Sequence, residues 1–364
     1  MPSSFLLYGS YGYVGDLIAR RAVEHGLRPI LAGRNAARLA AQAAELGLEY
    51  HPFSLEDAAA VDRALEDVTA VLHCAGPFIH TYKAMADACR RMRKHYLDIT
   101  GEIPVFEALA ARDAEAAARG IMILPGVGFG VAPTDCLAAH LKRRLPSATH
   151  LTLAFMSKGS PRLSRGSVNT GVETILPHGG KVRRDGRLVT VPHASKSRMI
   201  DFGHGRVNAT LAAWGDVFTA FYSTGIPNIE VYAVTPKDSL WLLTGARYLR
   251  PLFGLPAVKN FLKRGIQAQP LGPTAEERVR TSTLVWGEVR DNQGRQAVSR
   301  LHGPQGYTWT ALTAVAAVEK VLAGNAPPGF QTPSLAYGAD FALECEGVTR
   351  EDMEKSVSGH ALPV

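Results

Sequence analysis

The feature that most constrains the fold is a glycine-rich turn between a short apolar run and a helical pattern near the start of the chain. The apolar run is Phe5–Tyr8, and the turn Gly9–Gly15 has the spacing G-x-x-G-x-x-G. From Val14 onward, apolar residues follow helical spacing. Glycines let a backbone approach a phosphate closely, and the N-terminus of the following helix offers free N–H groups. The pattern predicts a strand–turn–helix unit that binds a phosphate-bearing ligand. The alternative is a plain strand-to-helix turn that binds no ligand.

Short apolar runs alternate with helical patterns as far as Leu124. The runs after the first lie at 28–32, 48–53, 70–74, 95–99 and 121–124. Uninterrupted apolar strands separated by helices are typical of a parallel sheet that is covered on both faces. Residues 1–130 are therefore predicted to form a Rossmann-type, doubly wound α/β domain.

The second half of the chain has a different pattern. Residues 131–306 contain two hairpin signals, Asp185-Gly186 and Asn292–Gly294, and we expect an α+β domain with a mixed or antiparallel sheet. This domain is expected to bind substrate or to form a dimer contact. The helical pattern at 307–323 is expected to pack back on the first domain. Residues 346–364 are expected to form a flexible tail.

Composition narrows the class of protein. The 40 Lys and Arg against 33 Asp and Glu give a net charge of +7, which suits an anionic cofactor or an anionic membrane surface. No concentrated basic module indicates nucleic-acid binding. The four cysteines form no metal or disulfide spacing, so we expect no metal and a reducing, cytoplasmic environment. We also expect no secretory signal and no transmembrane helix.

The end of the second predicted strand indicates the cofactor. An NAD site usually has an Asp or Glu there for the ribose hydroxyls, whereas this chain has Gly33, Arg34 and Asn35, with Arg38 one turn later. Arg34 stands where a 2′-phosphate needs a cation, and the alternative is a solvated loop arginine. We therefore predict NADP(H). The predicted cofactor-binding residues are Gly9, Ser10, Tyr11, Gly12, Tyr13 and Val14 at the diphosphate, Arg34 and Asn35 at the 2′-phosphate, and Ala75, Gly76, Pro77 and Phe78 on the nicotinamide side.

Several blocks of the chain carry a family resemblance. In order, these blocks are Gly9–Gly15, Ala75–Phe78, His95–Glu102, Pro125–Asp135 and Ser164–Ser167. Together they resemble the saccharopine dehydrogenase-like oxidoreductases, a group that includes the trans-acting enoyl reductases. The resemblance implies an NAD(P)-dependent oxidoreductase with a Rossmann domain and a following substrate domain. It would transfer hydride to or from a C=C, C=N or C=O bond of a small or acyl, lipid-like substrate. One departure is Gly130, where relatives often carry an Asp.

The candidates for acid–base chemistry follow the predicted strands. Asp98, Tyr82 and His80 are the predicted catalytic residues, and Asp98 could equally satisfy backbone N–H groups. Glu102 is interpreted as the cap of the next helix. The predicted substrate contacts are Phe129, Thr134 and Asp135.

The segment Ser239–Ile266 is apolar and basic, with no acidic residue. Such a segment can contact an anionic membrane, a second subunit in a homodimer or a lipid-like substrate, and it can also be an ordinary helical lid. A membrane-associated, cofactor-binding scaffold without turnover is therefore an alternative function.

Overall fold

The computed structural model describes residues 4–159, 162–175, 179–235 and 255–353. The first sheet has seven strands in the order β15-β6-β5-β4-β1-β2-β3, and all its neighbours are parallel. This confirms the predicted Rossmann-type sheet. The strands are β1 (Phe5–Tyr8), β2 (Ile30–Gly33), β3 (Tyr50–Pro52), β4 (Ala70–His73), β5 (His95–Asp98), β6 (Met122–Leu124) and β15 (Gly329–Phe330).

Helices cover both faces of this sheet. Leu6 and Leu7 alternate between the faces because successive strand residues point in opposite directions, and this is why the strand is an uninterrupted apolar run. Leu7 packs in the same apolar cluster as Ile18, whereas Leu6 packs with Met85. The helices of this half are α1 (Tyr13–Glu24), α2 (Ala36–Leu46), α3 (Ala58–Ala64), α4 (Tyr82–Met92), α5 (Ile103–Ala110) and α6 (Asp113–Ala118). The next helix, α7 (Ala132–Arg144), packs against the second sheet.

The second sheet is mixed, as predicted. Its main path runs β10-β11-β12-β7-β13-β14-β16, with the hairpin β8–β9 attached to β12. Only β7 and β12 run parallel along this path, and the other pairs are antiparallel. The strands are β7 (His150–Lys158), β8 (Gly180–Arg184), β9 (Arg187–Val191), β10 (Ser197–Asp201), β11 (Arg206–Leu211), β12 (Asn228–Ala233), β13 (Ser282–Arg290), β14 (Gln296–Pro304) and β16 (Thr349–Met353).

The remaining described α-helices lie after β7 in the chain. They are α8 (Arg165–Thr170), α9 (Asp216–Thr224), α10 (Pro256–Gln267), α11 (Ala275–Val279), α12 (Gly306–Leu322) and α13 (Pro333–Tyr337). Helix α12 leaves the second sheet and packs along α1, where Ala314 and Val315 join the apolar cluster of Leu7. The chain then adds β15 to the first sheet, so its C-terminal part spans both domains.

The expected tail at 346–364 is wrong for its first residues, because Thr349–Met353 forms an edge strand beside β14. Polar contacts anchor this strand: Asp352 accepts a hydrogen bond from Ser299 at 2.7 Å and pairs with His140 at 2.8 Å. The run Arg350-Glu351-Asp352 lacks apolar alternation, so the sequence pattern concealed the strand.

Between Ile103 and Ala118 the chain forms two successive helices, α5 and α6, and Arg278 lies in α11, just before β13. Most of the apolar, basic segment 239–266 lies outside the described residues, and its end lies in α10. Within the described residues, no helix is both long enough and apolar enough to cross a bilayer.

Candidate functional site

A cavity of about 1570 Å³ lies where the carboxyl ends of β1, β2 and β4 face the second sheet. Parallel α/β sheets bind ligands at this edge. The volume exceeds the roughly 300–1,000 Å³ of a typical small-molecule pocket, so the cavity has room for two ligands side by side.

The glycine turn forms one wall of the cavity, and two of its glycines are required by close packing. A Cβ on Gly9, whose φ is +85°, would lie 2.9 Å from the backbone nitrogen of Ala75. A Cβ on Gly15 would lie 2.2 Å from the carbonyl oxygen of Gly9, so this glycine seats α1 against the turn. Gly12 and Val14 line the cavity, whereas Ser10 is fully buried and its carbonyl accepts from Gln42. The turn thus forms a backbone wall of the cavity, here called the cradle, at the N-terminus of α1.

The loop after β2 lies beside this cradle. The Arg34 side chain is exposed and lines the cavity, in the place expected for a cation at a 2′-phosphate. The Asn35 side chain does not line the cavity, because it caps α2 by accepting a hydrogen bond from the Arg38 N–H at 2.9 Å. The Tyr11 hydroxyl accepts hydrogen bonds from the backbone N–H groups of Arg34 and Asn35, each at 3.2 Å.

The turn after β4 forms the opposite wall. Ala75, Gly76 and Phe78 line the cavity, and Pro77 does not. Glu102 holds this turn from beneath: its two carboxylate oxygens accept hydrogen bonds from the backbone N–H groups of Phe78 and Ile79, both at 2.8 Å.

Glu102 is 2% exposed, and burial raises the pKa of its carboxyl while the two N–H groups oppose that shift. One of its oxygens also accepts a hydrogen bond from Thr170 of the second domain at 3.3 Å. Glu102 is the N-cap residue of α5, as interpreted, but its side chain does not cap the helix, because its carboxylate accepts hydrogen bonds from the turn after β4 and from Thr170 instead.

The predicted catalytic residues lie outside the cavity lining. Asp98 is fully buried and accepts hydrogen bonds from the Tyr96 hydroxyl and from the N–H groups of Thr100 and Gly126, at 2.7–3.0 Å. Burial raises the pKa of Asp98 to about 7. Asp98 thus satisfies backbone N–H groups at the strand ends beneath the cavity, which is the alternative role stated for it above. Tyr82 begins α4 outside the lining.

His80 is also outside the lining, and its side chain is 60% exposed. Its Nε2 lies 3.8 Å from a carboxylate oxygen of the buried Glu173. His80 therefore lies on the outer side of the turn after β4, away from the lining of the cavity.

The predicted substrate contacts divide into two groups. Phe129 lines the cavity, and its backbone N–H donates to Thr310 at 3.0 Å. Thr134 and Asp135 lie in the protein core behind the cavity. The Thr134 hydroxyl donates to Asp216 at 2.6 Å, and Asp135 accepts from Ser223 and from the Ser334 N–H. Their short polar side chains join α7 to α9 and α13, so the structure does not bring them to a substrate.

The cavity also contains an apolar half, of which the sequence indicated Phe129 alone. Phe129 packs edge-on against Phe155 at 6.0 Å between ring centroids, and Phe155 packs against Trp214 at 4.6 Å. Arg162 and Arg264 line the cavity as exposed residues. This part of the site suits a ligand with an apolar body and an anionic end. These residues come from segments far apart in the chain, and no local motif joins them.

Side chains from both domains meet above the glycine turn. The Tyr13 hydroxyl donates to the Pro273 carbonyl at 2.6 Å and accepts from Arg278 at 3.1 Å. The Tyr13 ring meets Tyr307 edge-on at 5.1 Å, and the Tyr307 hydroxyl accepts a hydrogen bond from the Ser164 N–H at 2.7 Å. Tyr13 therefore ties the turn to the second domain. Within the described residues, no cluster of three His, Cys, Asp or Glu side chains is placed to hold a metal ion.

Comparisons with known proteins confirm the resemblance read from the motifs. Residues 5–124 match the family model described as the saccharopine dehydrogenase NADP binding domain. A trans-acting enoyl reductase of Mycobacterium leprae is 31% identical over 148 residues, covering 38% of this chain and 35% of that protein. A human saccharopine dehydrogenase-like oxidoreductase is 22% identical over 199 residues, covering 49% of this chain and 44% of that protein. The chain therefore matches less than half the length of these relatives.

The overall fold also has a solved counterpart. Apo saccharopine dehydrogenase (L-Glu forming) from Saccharomyces cerevisiae superimposes with a TM-score of 0.65. The match covers 96% of this chain and all of that chain, at 14% sequence identity. At this identity the likeness establishes the two-domain fold alone.

Proposed function

We propose that this chain, whose first domain is of the saccharopine dehydrogenase NADP-binding type, is an NADP(H)-dependent oxidoreductase acting on an apolar, acyl-like substrate. The observation that carries the proposal is one continuous cavity that joins the glycine turn to an aromatic half formed by Phe129, Phe155 and Trp214. Each half of the cavity suits one of the two ligands of a hydride transfer.

The support for NADP(H) comes from the glycine turn and from the loop after β2. The glycine cradle at the N-terminus of α1 suits a diphosphate, because free N–H groups and the helix dipole favour negative charge there. The loop after β2 has the exposed cation of Arg34 and lacks the Asp or Glu that recognises ribose hydroxyls. Both features favour the phosphorylated cofactor over NAD(H).

The support for an acyl-like substrate comes from the aromatic half of the cavity. The side chains of Phe129, Phe155 and Trp214 offer an apolar surface, and an amino acid with several charged groups would be poorly solvated there. Arg264 and Arg162, the latter 3.8 Å from a Glu277 carboxylate oxygen, line the cavity, and we propose that they meet an anionic end of such a substrate. This arrangement favours C=C reduction of an acyl substrate over C=N chemistry on an amino acid, which remains the second candidate reaction.

The residues of this chain would bind and orient the reactants. A bound nicotinamide supplies or accepts the hydride. Glu102 holds the turn Gly76–Phe78 in place on one side, and the aromatic residues exclude water on the other. Because Asp98, Tyr82 and His80 do not line the cavity, we assign them no direct contact with the reacting atoms in this proposal.

The test is a fluorescence titration of the protein with NADPH and with NADH, followed by NADPH consumption assays with enoyl and imine substrates. We expect NADPH to bind at least tenfold more tightly, and enoyl substrates to be consumed. The Arg34→Glu variant is expected to weaken NADPH much more than NADH, because it places a negative charge beside the 2′-phosphate. Binding of neither cofactor by the unmodified protein would refute the proposal, whereas cofactor binding without consumption of any substrate would favour the scaffold function without turnover.

We further propose that the protein works as a cytoplasmic homodimer. The four cysteines are all free and three are buried, which suits a reducing compartment. The apolar, basic segment 239–266 is the proposed contact region, either with a second copy or with a membrane. Light scattering after size exclusion, and flotation with anionic and with neutral vesicles, distinguish the two contacts.

A further inference from the structure

The glycine turn contains a side chain whose position differs from the role predicted for it. Tyr11 lies in the middle of the turn, where the sequence predicts a diphosphate contact. Its ring instead extends across the end of β2 and covers Gly33: a Cβ on Gly33 would lie 2.6 Å from Cε1 of Tyr11. Tyr11 therefore belongs spatially to the loop that faces the adenosine end of a bound dinucleotide.

The hydrogen bonds of the Tyr11 hydroxyl define what it can still do. A phenol has two acceptor lone pairs and one donor proton. Both acceptor positions are used by the backbone N–H groups of Arg34 and Asn35 at 3.2 Å. Among the described residues, the hydroxyl has no protein acceptor for its own proton, and Tyr11 lines the cavity. The proton is therefore available to a ligand.

The surroundings of the ring are positively charged. The guanidinium of Arg38 lies 4.7 Å from the centroid of the Tyr11 ring, and its NH2 group donates to the Tyr11 carbonyl at 2.9 Å. This double contact fixes the ring and places one cation behind it. Arg34, whose backbone N–H donates to the same hydroxyl, carries a second cation that is exposed at the cavity. An oriented O–H donor with these two arginines on the adjoining loop and helix is suited to an anionic acceptor.

We infer that Tyr11 is a specificity-determining residue that donates a hydrogen bond to the 2′-phosphate of NADP(H), with Arg34 as its charged companion. The inference rests on the proposed cofactor and deepens it. The hydroxyl relays the two N–H groups at the end of β2 to the phosphate, since a phenol that accepts two hydrogen bonds is a stronger donor through its own proton. A ribose that carries only a 2′-hydroxyl forms a neutral and weaker bond at the same place.

The experiment compares two tyrosines of the same turn. Tyr11→Phe removes the donor, and Tyr13→Phe is the matched control because the Tyr13 hydroxyl bonds to Pro273 and Arg278 instead. Adenosine 2′,5′-bisphosphate and 5′-AMP are used as probes beside NADPH and NADH. For Tyr11→Phe we expect about a tenfold loss of NADPH and bisphosphate affinity, equivalent to about 1.4 kcal/mol, with NADH and 5′-AMP nearly unchanged. Tyr13→Phe should shift all four affinities alike or not at all.

A second variant tests the position of the ring and keeps its hydroxyl. Gly33→Ala pushes the ring away from β2, and the same selective loss of NADPH affinity is expected. Equal losses of NADPH and NADH in Tyr11→Phe would show that Tyr11 only holds the turn. Tighter NADPH binding in that variant would show that the phenol is an obstacle that the phosphate displaces. Either result overturns the inference while the proposed function stands, whereas an unmodified protein that binds no NADPH overturns both.

Discussion

Replacing Glu102 by glutamine tests how the turn after β4 is held beside the cavity. The variant keeps the size of the side chain and one acceptor oxygen, but it turns the other oxygen into an NH2 group facing a backbone N–H at 2.8 Å. Hydrogen bonds to a charged group contribute about 1.5–3 kcal/mol each, and one of the two bonds is lost. We therefore expect the free energy of unfolding to fall by about 2–3 kcal/mol.

Urea unfolding followed by fluorescence measures this loss, and Glu115→Gln is the control. Glu115 makes an exposed ion pair with Arg90 at 2.8 Å, and such pairs contribute about 0–1 kcal/mol. A loss below about 0.5 kcal/mol for Glu102→Gln would refute the reasoning, since it is the size expected for a substitution that breaks no buried contact. We also expect weaker NADPH binding in this variant, because Gly76 and Phe78 of the released turn line the cavity.

The remaining predictions concern packing, pH and the cavity. Gly15→Ala should lower the free energy of unfolding by about 1–3 kcal/mol, because its Cβ would collide with a carbonyl oxygen. Gly265→Ala, with open space around it, should not destabilise the protein. Urea unfolding compares the two variants, and equal effects would contradict the close packing at Gly15. For Asp98, whose native pKa of about 7 exceeds the usual value of 3.8, the folded state holds the proton more tightly, so its contribution to stability is present at pH 4 and is lost as the pH rises to 7. Asp98→Asn should remove this pH dependence. In parallel urea titrations, the free energy of unfolding of the wild type should therefore fall relative to that of the variant by more than about 1 kcal/mol between pH 5 and pH 8. A constant difference would contradict the raised pKa of Asp98. Gly130→Asp has room for its Cβ and should leave the free energy of unfolding within about 0.5 kcal/mol, while its carboxylate in the cavity raises the KM of apolar substrates; an unchanged KM would place the substrate elsewhere.

The first domain could be predicted from the sequence because its signals are local. The turn Gly9–Gly15 follows one buried strand and opens one helix, so a few adjacent residues define both the element and its ligand chemistry. The absence of an acid beside Arg34 is equally local. Uninterrupted apolar runs such as Ala70–His73 reveal parallel strands because each residue is buried on one face or the other.

The roles of the candidate acids could not be read in the same way. Asp98 ends β5 and Glu102 follows it closely, and the sequence could not tell a group that faces a ligand from one that holds backbone N–H groups. The structure separates them by what each carboxylate contacts: Asp98 binds the Thr100 and Gly126 N–H groups, and Glu102 binds a turn 23 and 24 residues earlier in the chain. Contacts between residues this far apart in the chain follow no fixed spacing, so the sequence could not predict them.

The second domain shows the same limit over longer distances, and it bears on how the site works. Tyr13 meets Pro273 and Arg278 across 260 and 265 residues. Because Tyr13 is the first residue of α1, this contact links the diphosphate cradle directly to the second sheet's connecting segments. Tyr307 bonds to Ser164, so the loop that carries Arg162 and Arg165 into the cavity is held at the same place. The glycine turn is thus joined to the second domain at the wall of the same cavity, and because the partners are more than 250 residues apart, no local pattern in the sequence could reveal this junction.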